Sequence, residues 1–252
     1  MRLISSDKKR APRCDVCSKK KHKVFREVGE HTYLICENCQ TIHLQSRALN
    51  FNKIRGDTYL EDPTTYLTII NPHGTRYIAG SVDHAFDQKL KKSKGRLLEI
   101  GSGLGHLSYT LFSRGWEVEC LELSSKAVNW SNEVFKLPTH TTMIEDFKSA
   151  KFDAFVMVEV IEHLYDPLKA LMQIRKLAQK PALLFGTTPN TKSLHWRESE
   201  QDIYQPHDHI VLFNKNSLYD LLQKAGFKNI TIEYFGVGDK NDSNLMYSAV
   251  IE

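Results

Sequence analysis

Four cysteines near the N-terminus have the spacing of a metal site. They form two Cys-x-x-Cys pairs with eighteen residues between the pairs: Cys14, Cys17, Cys36 and Cys39. Each pair can place two thiolates on one ion, and the gap between the pairs is in the range of four-cysteine zinc sites. We therefore expect a structural Zn2+ in a zinc-ribbon-like module. Two disulfides or a redox-active pair are the alternatives.

A glycine-rich stretch in the middle of the chain has the composition of a ligand-binding turn. Gly101, Gly103 and Gly105 follow an apolar segment, and Glu99 stands two residues before the first of them. Glycine at such a turn lets the backbone approach a ligand closely. Glu122 ends the next apolar segment, where a carboxylate can accept the hydroxyl groups of a ribose. Dinucleotide-binding folds use a similar loop, but with the spacing G-x-G-x-x-G.

Two acids and a histidine follow the strongly apolar segment Phe152–Val158. They are Glu159, Glu162 and His163. Ligands of parallel sheets bind beyond the carboxyl ends of the strands, and imidazole titrates near neutral pH. His163 is therefore our candidate for a general base. In the alternative interpretation Glu162 is solvated and His163 only caps the loop.

The elements that must position these residues alternate between strands and helices. The predicted strands are Arg96–Ile100, Glu117–Leu123, Thr141–Ile144, Phe152–Val158, Ala182–Thr187, Lys228–Phe235 and Leu245–Ile251, and the predicted helices are 75–92, 104–114, 124–135, 166–178 and 216–225. This alternation predicts an α/β fold, with a parallel sheet covered by helices on both faces. Only Gly236–Asn244 joins the last two strands, too short a loop for a parallel crossover, so we expect an antiparallel hairpin there. A second hairpin, Val24–Val28 with His31–Ile35, is predicted between the cysteine pairs.

The motif Glu-x-Gly-x-Gly-x-Gly, with an acid ending the second strand, resembles the class I S-adenosylmethionine-dependent methyltransferases. Phe152–Pro167 resembles the Glu-x-x-Glu-His…Asp-Pro segment of the ubiquinone-biosynthesis O-methyltransferases, and Phe185–Asn190 and His209–Phe227 continue the match. The resemblance covers about residues 75–250 and implies a Rossmann-like seven-stranded sheet. It also implies S-adenosylmethionine as cofactor and S-adenosylhomocysteine as product. The cofactor-binding residues that it implies are Glu99, Gly101, Gly103, Gly105, Glu122, Asp146 (with Glu145 as the alternative acid) and Glu159.

The resemblance further implies a small-molecule acceptor, with a hydroxyl oxygen as the methylated atom. It places His209 where relatives have a loop histidine that faces the site, so His163 and His209 are the predicted catalytic residues; a purely structural role is the alternative for His209. It also offers Mg2+ at Glu159, Glu162 and His163 as an alternative to a general base, because oxygen-rich ligation suits that ion. The polar segment Asn190–Asp208, which precedes His209, is predicted to be a lid or a binding loop.

The charge divides the chain into modules. The chain has 252 residues, of which residues 1–55 contain 13 Lys/Arg and 5 Asp/Glu, and residues 56–252 contain 21 and 25. We expect a zinc-ribbon-like module at 1–55, a linker and leading helix at 56–94, and the methyltransferase domain at 95–252. The basic first module raises two alternatives to the small-molecule enzyme: an RNA methyltransferase that binds RNA through the ribbon, or a non-catalytic binding module.

The composition excludes some classes of protein. Charged residues make up 25% and the hydrophobic types 41% of the chain, a globular balance. The sequence has no run near the roughly 18 apolar residues that a bilayer span needs. It also lacks the apolar core of a secretory signal. We expect a cytoplasmic enzyme without a membrane span.

Overall fold

The computed structural model describes residues 13–46, 72–194, 196, 203–206, 208–236 and 242–252. The predicted linker, the boundary near residue 55 and parts of the polar segment Asn190–Asp208, including His207, lie outside the described residues. The strands are β1 (His22–Val28), β2 (His31–Cys36), β3 (Ile42–Leu44), β4 (Arg96–Ile100), β5 (Glu117–Leu121), β6 (Thr139–His140), β7 (Phe152–Val158), β8 (Ala178–Pro189), β9 (Val211–Leu212), β10 (Lys228–Phe235) and β11 (Asn244–Ile251). The helices are α1 (Pro72–Leu90), α2 (His106–Ser113), α3 (Ser125–Val134), α4 (Pro167–Leu177) and α5 (Lys215–Lys224), with a 3-10 turn at Ile161–His163.

The described residues form a seven-stranded sheet in the order β10-β11-β8-β7-β4-β5-β6. The neighbouring strands β8, β7, β4, β5 and β6 are all parallel to one another, whereas β11 is antiparallel to both β8 and β10. The predicted α/β fold and its antiparallel last hairpin are thus confirmed. β7 is apolar throughout except for Asp153 because successive side chains enter different cores: Phe155 and Met157 pack with α4 and α5, and Val156 packs with α1.

The strand predicted at Thr141–Ile144 is wrong. The strand is Thr139–His140, which pairs with β5. The amides of Asp146 and Phe147 donate to the carbonyl of Met143, so this segment forms a turn and has no ladder to join. Ile144 is buried, but as a turn residue against the core, and this burial explains why its apolar side chain suggested a strand.

A second sheet contains the cysteine module, the name used below for residues 13–46 with the four cysteines. Among the described residues its strand order is β1-β2-β3-β9. The predicted hairpin of β1 and β2 is confirmed, and it turns at Gly29, whose φ of 57° favours glycine. Its fourth strand, β9, comes from the C-terminal part of the chain and pairs with β3. Tyr33 and Ile35 of β2 share one buried cluster with the residues of β7, α4 and α5. The cysteine module is therefore packed against the larger sheet.

We predict that Gly186→Ala destabilises the fold by about 1–3 kcal/mol because the site is already full. A Cβ at Gly186 would lie 2.3 Å from the backbone oxygen of Met157 and 2.4 Å from the hydroxyl of Tyr247. Denaturant unfolding measures the change in free energy. The matched control is Gly80→Ala on α1, where the nearest atom is 4.0 Å away; it should stabilise by about 0.5–1 kcal/mol. Equal stability of the two variants would contradict the prediction.

Candidate active site

The glycine loop after β4 lies against the turn after β7. Gly101, Gly103 and Gly105 have φ values of 72°, 53° and 85°, in the left-handed region that favours glycine. A Cβ at Gly101 would lie 2.5 Å from Cγ2 of Val160. The loop therefore needs glycine both for its backbone angles and for this close approach at the carboxyl edge of the sheet.

Glu122 joins this loop to the end of β5. Its carboxylate accepts hydrogen bonds from the backbone N–H of Gly103 at 2.9 Å, of Leu123 at 2.7 Å and of Ser124 at 2.8 Å. The residue is 7% exposed. A buried carboxylate with three backbone donors is rigidly placed. Glu122 thus stands at the position where the sequence predicts a ribose-binding acid.

Glu99 lies beneath helix α2. The hydroxyl of Ser108 donates to its carboxylate, and the thiol of Cys120 lies 3.0 Å from the same hydroxyl. Burial raises the pKa of Glu99 to about 8. Its contact in the structure is with the helix, so its predicted role in holding the cofactor stays a prediction.

The two acids after β6 differ in exposure. Asp146 is exposed, whereas Glu145 is half-buried and burial raises its pKa. Both lie in the turn that replaces the predicted third strand. The assignment of Asp146 to an adenine contact, with Glu145 as its alternative, remains a prediction.

Glu159 occupies a strained position at the end of β7. Its φ of 52° is unusual for a residue with a side chain. The hydroxyl of Thr187 donates to its carboxylate at 2.7 Å, and burial raises the pKa of this carboxyl group to about 7. Such strain persists only where the surroundings hold it, and it is concentrated at functional sites.

His163 and His209 are brought together although they are 46 residues apart. Their ring centroids are 4.8 Å apart. Nδ1 of His163 is 2.7 Å from the carbonyl oxygen of Asp208, and Nδ1 of His209 is 2.6 Å from that of Ile203. Because a backbone carbonyl can only accept, each Nδ1 carries the proton, and Nε2 is the basic nitrogen of each ring.

Glu162 completes this group. It is fully buried, the hydroxyl of Thr188 donates to its carboxylate at 2.9 Å, and Nε2 of His163 lies 3.7 Å from its other oxygen. Among the described residues, ligand atoms of Glu162, His163 and His209 lie within 4.8 Å of one another, and Glu159 is not part of that group. A set with two imidazoles suits a transition metal better than Mg2+. The predicted Mg2+ site at Glu159, Glu162 and His163 is therefore not supported.

Several residues of the site carry no signal in the sequence. In the sequence, Thr187 and Thr188 have no feature that distinguishes them from other strand residues, yet their hydroxyl groups donate hydrogen bonds to the carboxylates of Glu159 and Glu162. Tyr247 of β11 is 1% exposed and has the pKa of its hydroxyl raised, first by burial and then by Glu162 and Glu159. Only the packing of β8 and β11 against the turn after β7 reveals them.

The sulfur atoms of the four cysteines lie close enough together to bind one metal ion. Sγ of Cys14 is 3.5 Å from that of Cys39, and Sγ of Cys17 is 3.5 Å from that of Cys36. All four sulfur atoms lie within 4.8 Å of one another. Four Zn–S bonds of about 2.3 Å require S···S distances of about 3.8 Å, so the cluster fits zinc, and the cysteines are free thiols rather than disulfides.

Comparisons with known proteins agree with this architecture. Residues 71–232 match the family model described as a methyltransferase domain. The ubiquinone biosynthesis O-methyltransferase of Cereibacter sphaeroides is 28% identical over 181 residues, which are 62% of this chain and 71% of that protein. The plantazolicin methyltransferase BpumL in complex with SAH has a similar fold, with a TM-score of 0.61 and 15% identity over 81% of this chain and 96% of that chain. The glycopeptide N-methyltransferase MtfA complexed with S-adenosyl-L-methionine gives a TM-score of 0.53 and 17% identity over 69% and 94%.

Within the described part of the chain, every helix is too short or too polar to span a bilayer.

We predict that Glu99→Gln stabilises the protein increasingly as the pH rises. The carboxyl ionises near its ordinary pKa of 4.5 in the unfolded chain and near 8 in the folded one. Between these values the folded state keeps a proton that the unfolded state has lost, so the unfolding free energy of the native protein falls as pH rises through this window. The gain from Glu99→Gln should be about 2–4 kcal/mol larger at pH 8 than at pH 5.

Denaturant unfolding at the two pH values tests this prediction. Glu117→Gln is the matched control, because Glu117 lies on the neighbouring strand with its side chain 73% exposed; its effect should not depend on pH. If Glu99→Gln changed the unfolding free energy by the same amount at pH 5 and pH 8, the raised pKa of Glu99 would be refuted.

Proposed function

The chain belongs to the methyltransferase domain family, whose model matches residues 71–232, and from this premise we propose that it transfers a methyl group from S-adenosylmethionine to a hydroxyl oxygen of a small molecule. The observation that carries the proposal is the meeting of two different half-sites at one edge of the sheet. The glycine loop with Glu122 forms the donor half, and the His163–His209 pair forms the acceptor half.

The donor half fits S-adenosylmethionine. Gly101 and Gly103 have positive φ values that let the loop turn sharply after β4. Glu122 is an acid directly after β5, where a ribose is bound in related folds. The cofactor supplies a methyl group already activated on a sulfonium centre, so the protein chiefly has to align donor and acceptor. Two solved structures of similar fold are complexes with SAH and with S-adenosyl-L-methionine, which supports this choice of donor.

The acceptor half fits the removal of a proton from a hydroxyl group. The carbonyl of Asp208 holds Nδ1–H of His163, so Nε2 is oriented as the base. The Glu162 carboxylate, 3.7 Å from that nitrogen, stabilises the imidazolium formed when it accepts the proton. The named relative from Cereibacter sphaeroides is an O-methyltransferase, which supports oxygen as the methylated atom.

A cation bound by Glu162, His163 and His209 is the second candidate for this half. Their ligand atoms lie within 4.8 Å of one another, and each histidine donates its other ring N–H to a backbone carbonyl, as metal-binding histidines commonly do. A cation there would lower the pKa of the acceptor hydroxyl. A second bound metal ion per chain, beyond the one on the four cysteines, that is lost in His163→Gln would favour it over a general base.

The acceptor class is open to direct test by labelled-methyl transfer into lysate separated into RNA, protein and small-molecule fractions. We expect label in the small-molecule fraction. The exposed lysines at 19–21 and 23 are the observation in favour of RNA. Label in the RNA fraction, together with binding that weakens steeply with salt, would replace the proposal with the RNA alternative.

We predict that Glu122→Gln weakens S-adenosylmethionine binding at least tenfold. The amide would turn an NH2 group toward backbone N–H donors, and it would lose an acceptor for the ribose hydroxyls. Calorimetric titration gives the affinity, and thermal unfolding checks that the variant is folded. Glu117→Gln serves as the control and should bind like the native protein. Unchanged affinity in folded Glu122→Gln would argue against the donor half.

We predict that His163→Gln lowers kcat on the acceptor identified by the lysate experiment by about 10²–10⁴-fold, the usual contribution of a general base. Its affinity for S-adenosylmethionine should stay within twofold, because His163 belongs to the acceptor half. The exposed His84 on α1 provides the control, His84→Gln. Full turnover by His163→Gln would eliminate the histidine as the base.

A further inference from the structure

The cysteine module is joined to the acceptor half by a continuous strand ladder. Ile42 and His43 of β3 pair with Leu212 and Val211 of β9. The amide of Leu44 donates to the carbonyl of Ile210 at 2.9 Å, and the amide of Ile210 donates to the carbonyl of Glu162 at 2.8 Å. The ladder thus runs from the cysteine module through the residue after His209 to the turn that carries His163.

Tyr33 makes the most direct connection. It lies on β2, three residues before Cys36, and is fully buried. Its hydroxyl donates to the backbone carbonyl of His209 at 2.8 Å, and its ring packs edge-on against Tyr204 at 5.6 Å. A buried tyrosine with its hydroxyl bonded to backbone is a rigid support, because the ring has few rotamers and the bond fixes its end.

Helix α5 connects to both cysteine pairs. At its start, Asn214 caps the helix with its side-chain oxygen and donates through its amide nitrogen to the carbonyls of Cys39 and Gln40, at 3.3 and 3.2 Å. At its end, the ammonium group of Lys224 donates to the carbonyl of Val16 at 2.8 Å, between the first two cysteines. The helix therefore spans both metal-binding turns, directly after β9.

We infer that the cysteine module is a working part of the acceptor half, in which Tyr33 is a positioning residue for His209 and metal binding by the four cysteines holds that position. The inference rests on the proposed function, because it takes His209 as part of the acceptor half. The donor half is expected to be held mainly by its own bonds: Glu122 accepts from the amide of Gly103, and the amides of Gly101 and Ser102 donate to the carbonyl of Leu121, while the loop meets the turn after β7 through Val160.

The physical basis is the small size of the module. A segment of about 30 residues cannot fold on its own apolar core, so the metal supplies much of its folding free energy. β9 has only two residues, and β3 is its strand partner. Loss of the metal should therefore loosen β2 and β3 first, and then the β9 segment beside His209.

Amide hydrogen exchange on the full chain tests the metal dependence. Zinc content is measured in protein purified without chelator and again after chelation, and the exchange of 210–212 is compared with that of 97–100 in β4. We expect at least tenfold faster exchange at 210–212 in metal-free protein, with β4 exchange and S-adenosylmethionine affinity unchanged within twofold. The inference would be overturned if protection at 210–212 did not change on metal removal, or if 210–212 and 97–100 lost protection together. Protein purified without chelator that contains no zinc would also overturn it.

Tyr33→Phe tests the positioning role without removing the metal. It deletes one hydroxyl, so zinc content and cofactor affinity should be unchanged, while exchange at 210–212 accelerates and kcat on the identified acceptor falls about 3–10-fold at constant KM for the cofactor. Tyr234→Phe, on an exposed residue of β10, is the matched control. Unaltered exchange and kcat in Tyr33→Phe would overturn the role of Tyr33.

The two proposals fail in different ways. If zinc-loaded protein does not bind S-adenosylmethionine, the proposed function is refuted, while the exchange measurements still report the coupling of the cysteine module to β9. If the cofactor binds but metal removal leaves 210–212 protected, the inference alone is refuted.

Discussion

The close approach of Gly101 to Val160 is the constraint on which the rest of the site depends. It joins the loop after β4 to the turn after β7, two neighbouring strands of a parallel sheet, and leaves no room for a Cβ. Because the strands are parallel, their carboxyl ends meet at one edge. The glycine loop, our proposed donor half, thus lies against the turn that bears Glu159, Glu162 and His163. A side chain at position 101 would push these halves apart, and in-line transfer requires them to be aligned.

Buried carboxyl groups are concentrated at this edge, at a cost to stability. Glu99, Glu122 and Glu162 are all buried, and each accepts hydrogen bonds from the loop, a helix or a neighbouring strand. Glu122 is the best satisfied, with three backbone donors, whereas burial raises the pKa of Glu99 well above its ordinary value. Glu99 is therefore kept in an environment that disfavours its charge, an arrangement common where proteins bind and react with ligands.

The cysteine module has two faces with different roles. Its basic side chains, at 19–21 and 23, point to solvent, while Tyr33, Ile35 and Cys36 enter the core that also contains α4 and α5. Within the described residues, the four lysines at 19–21 and 23 thus contribute their charge to the surface and not to the core. The packing joins this module to the C-terminal part of the chain, because β9 completes the sheet of the cysteine module and Asn214 bonds to the second cysteine pair.

The sequence by itself determined the parts whose signals are local. Alternating apolar segments and short connections specify the order of strands and helices, three glycines mark the loop after β4, and paired cysteines mark the candidate metal site. The local pattern placed the third strand wrongly, because an apolar residue such as Ile144 can be buried in a turn as well as in a strand, and the sequence does not distinguish the two cases. Only the tertiary structure decided that His209, rather than Glu159, joins Glu162 and His163, and that Tyr33 holds His209 across 176 residues of sequence. Contacts of that kind depend on how distant segments fold back on one another, and no spacing along the chain encodes them.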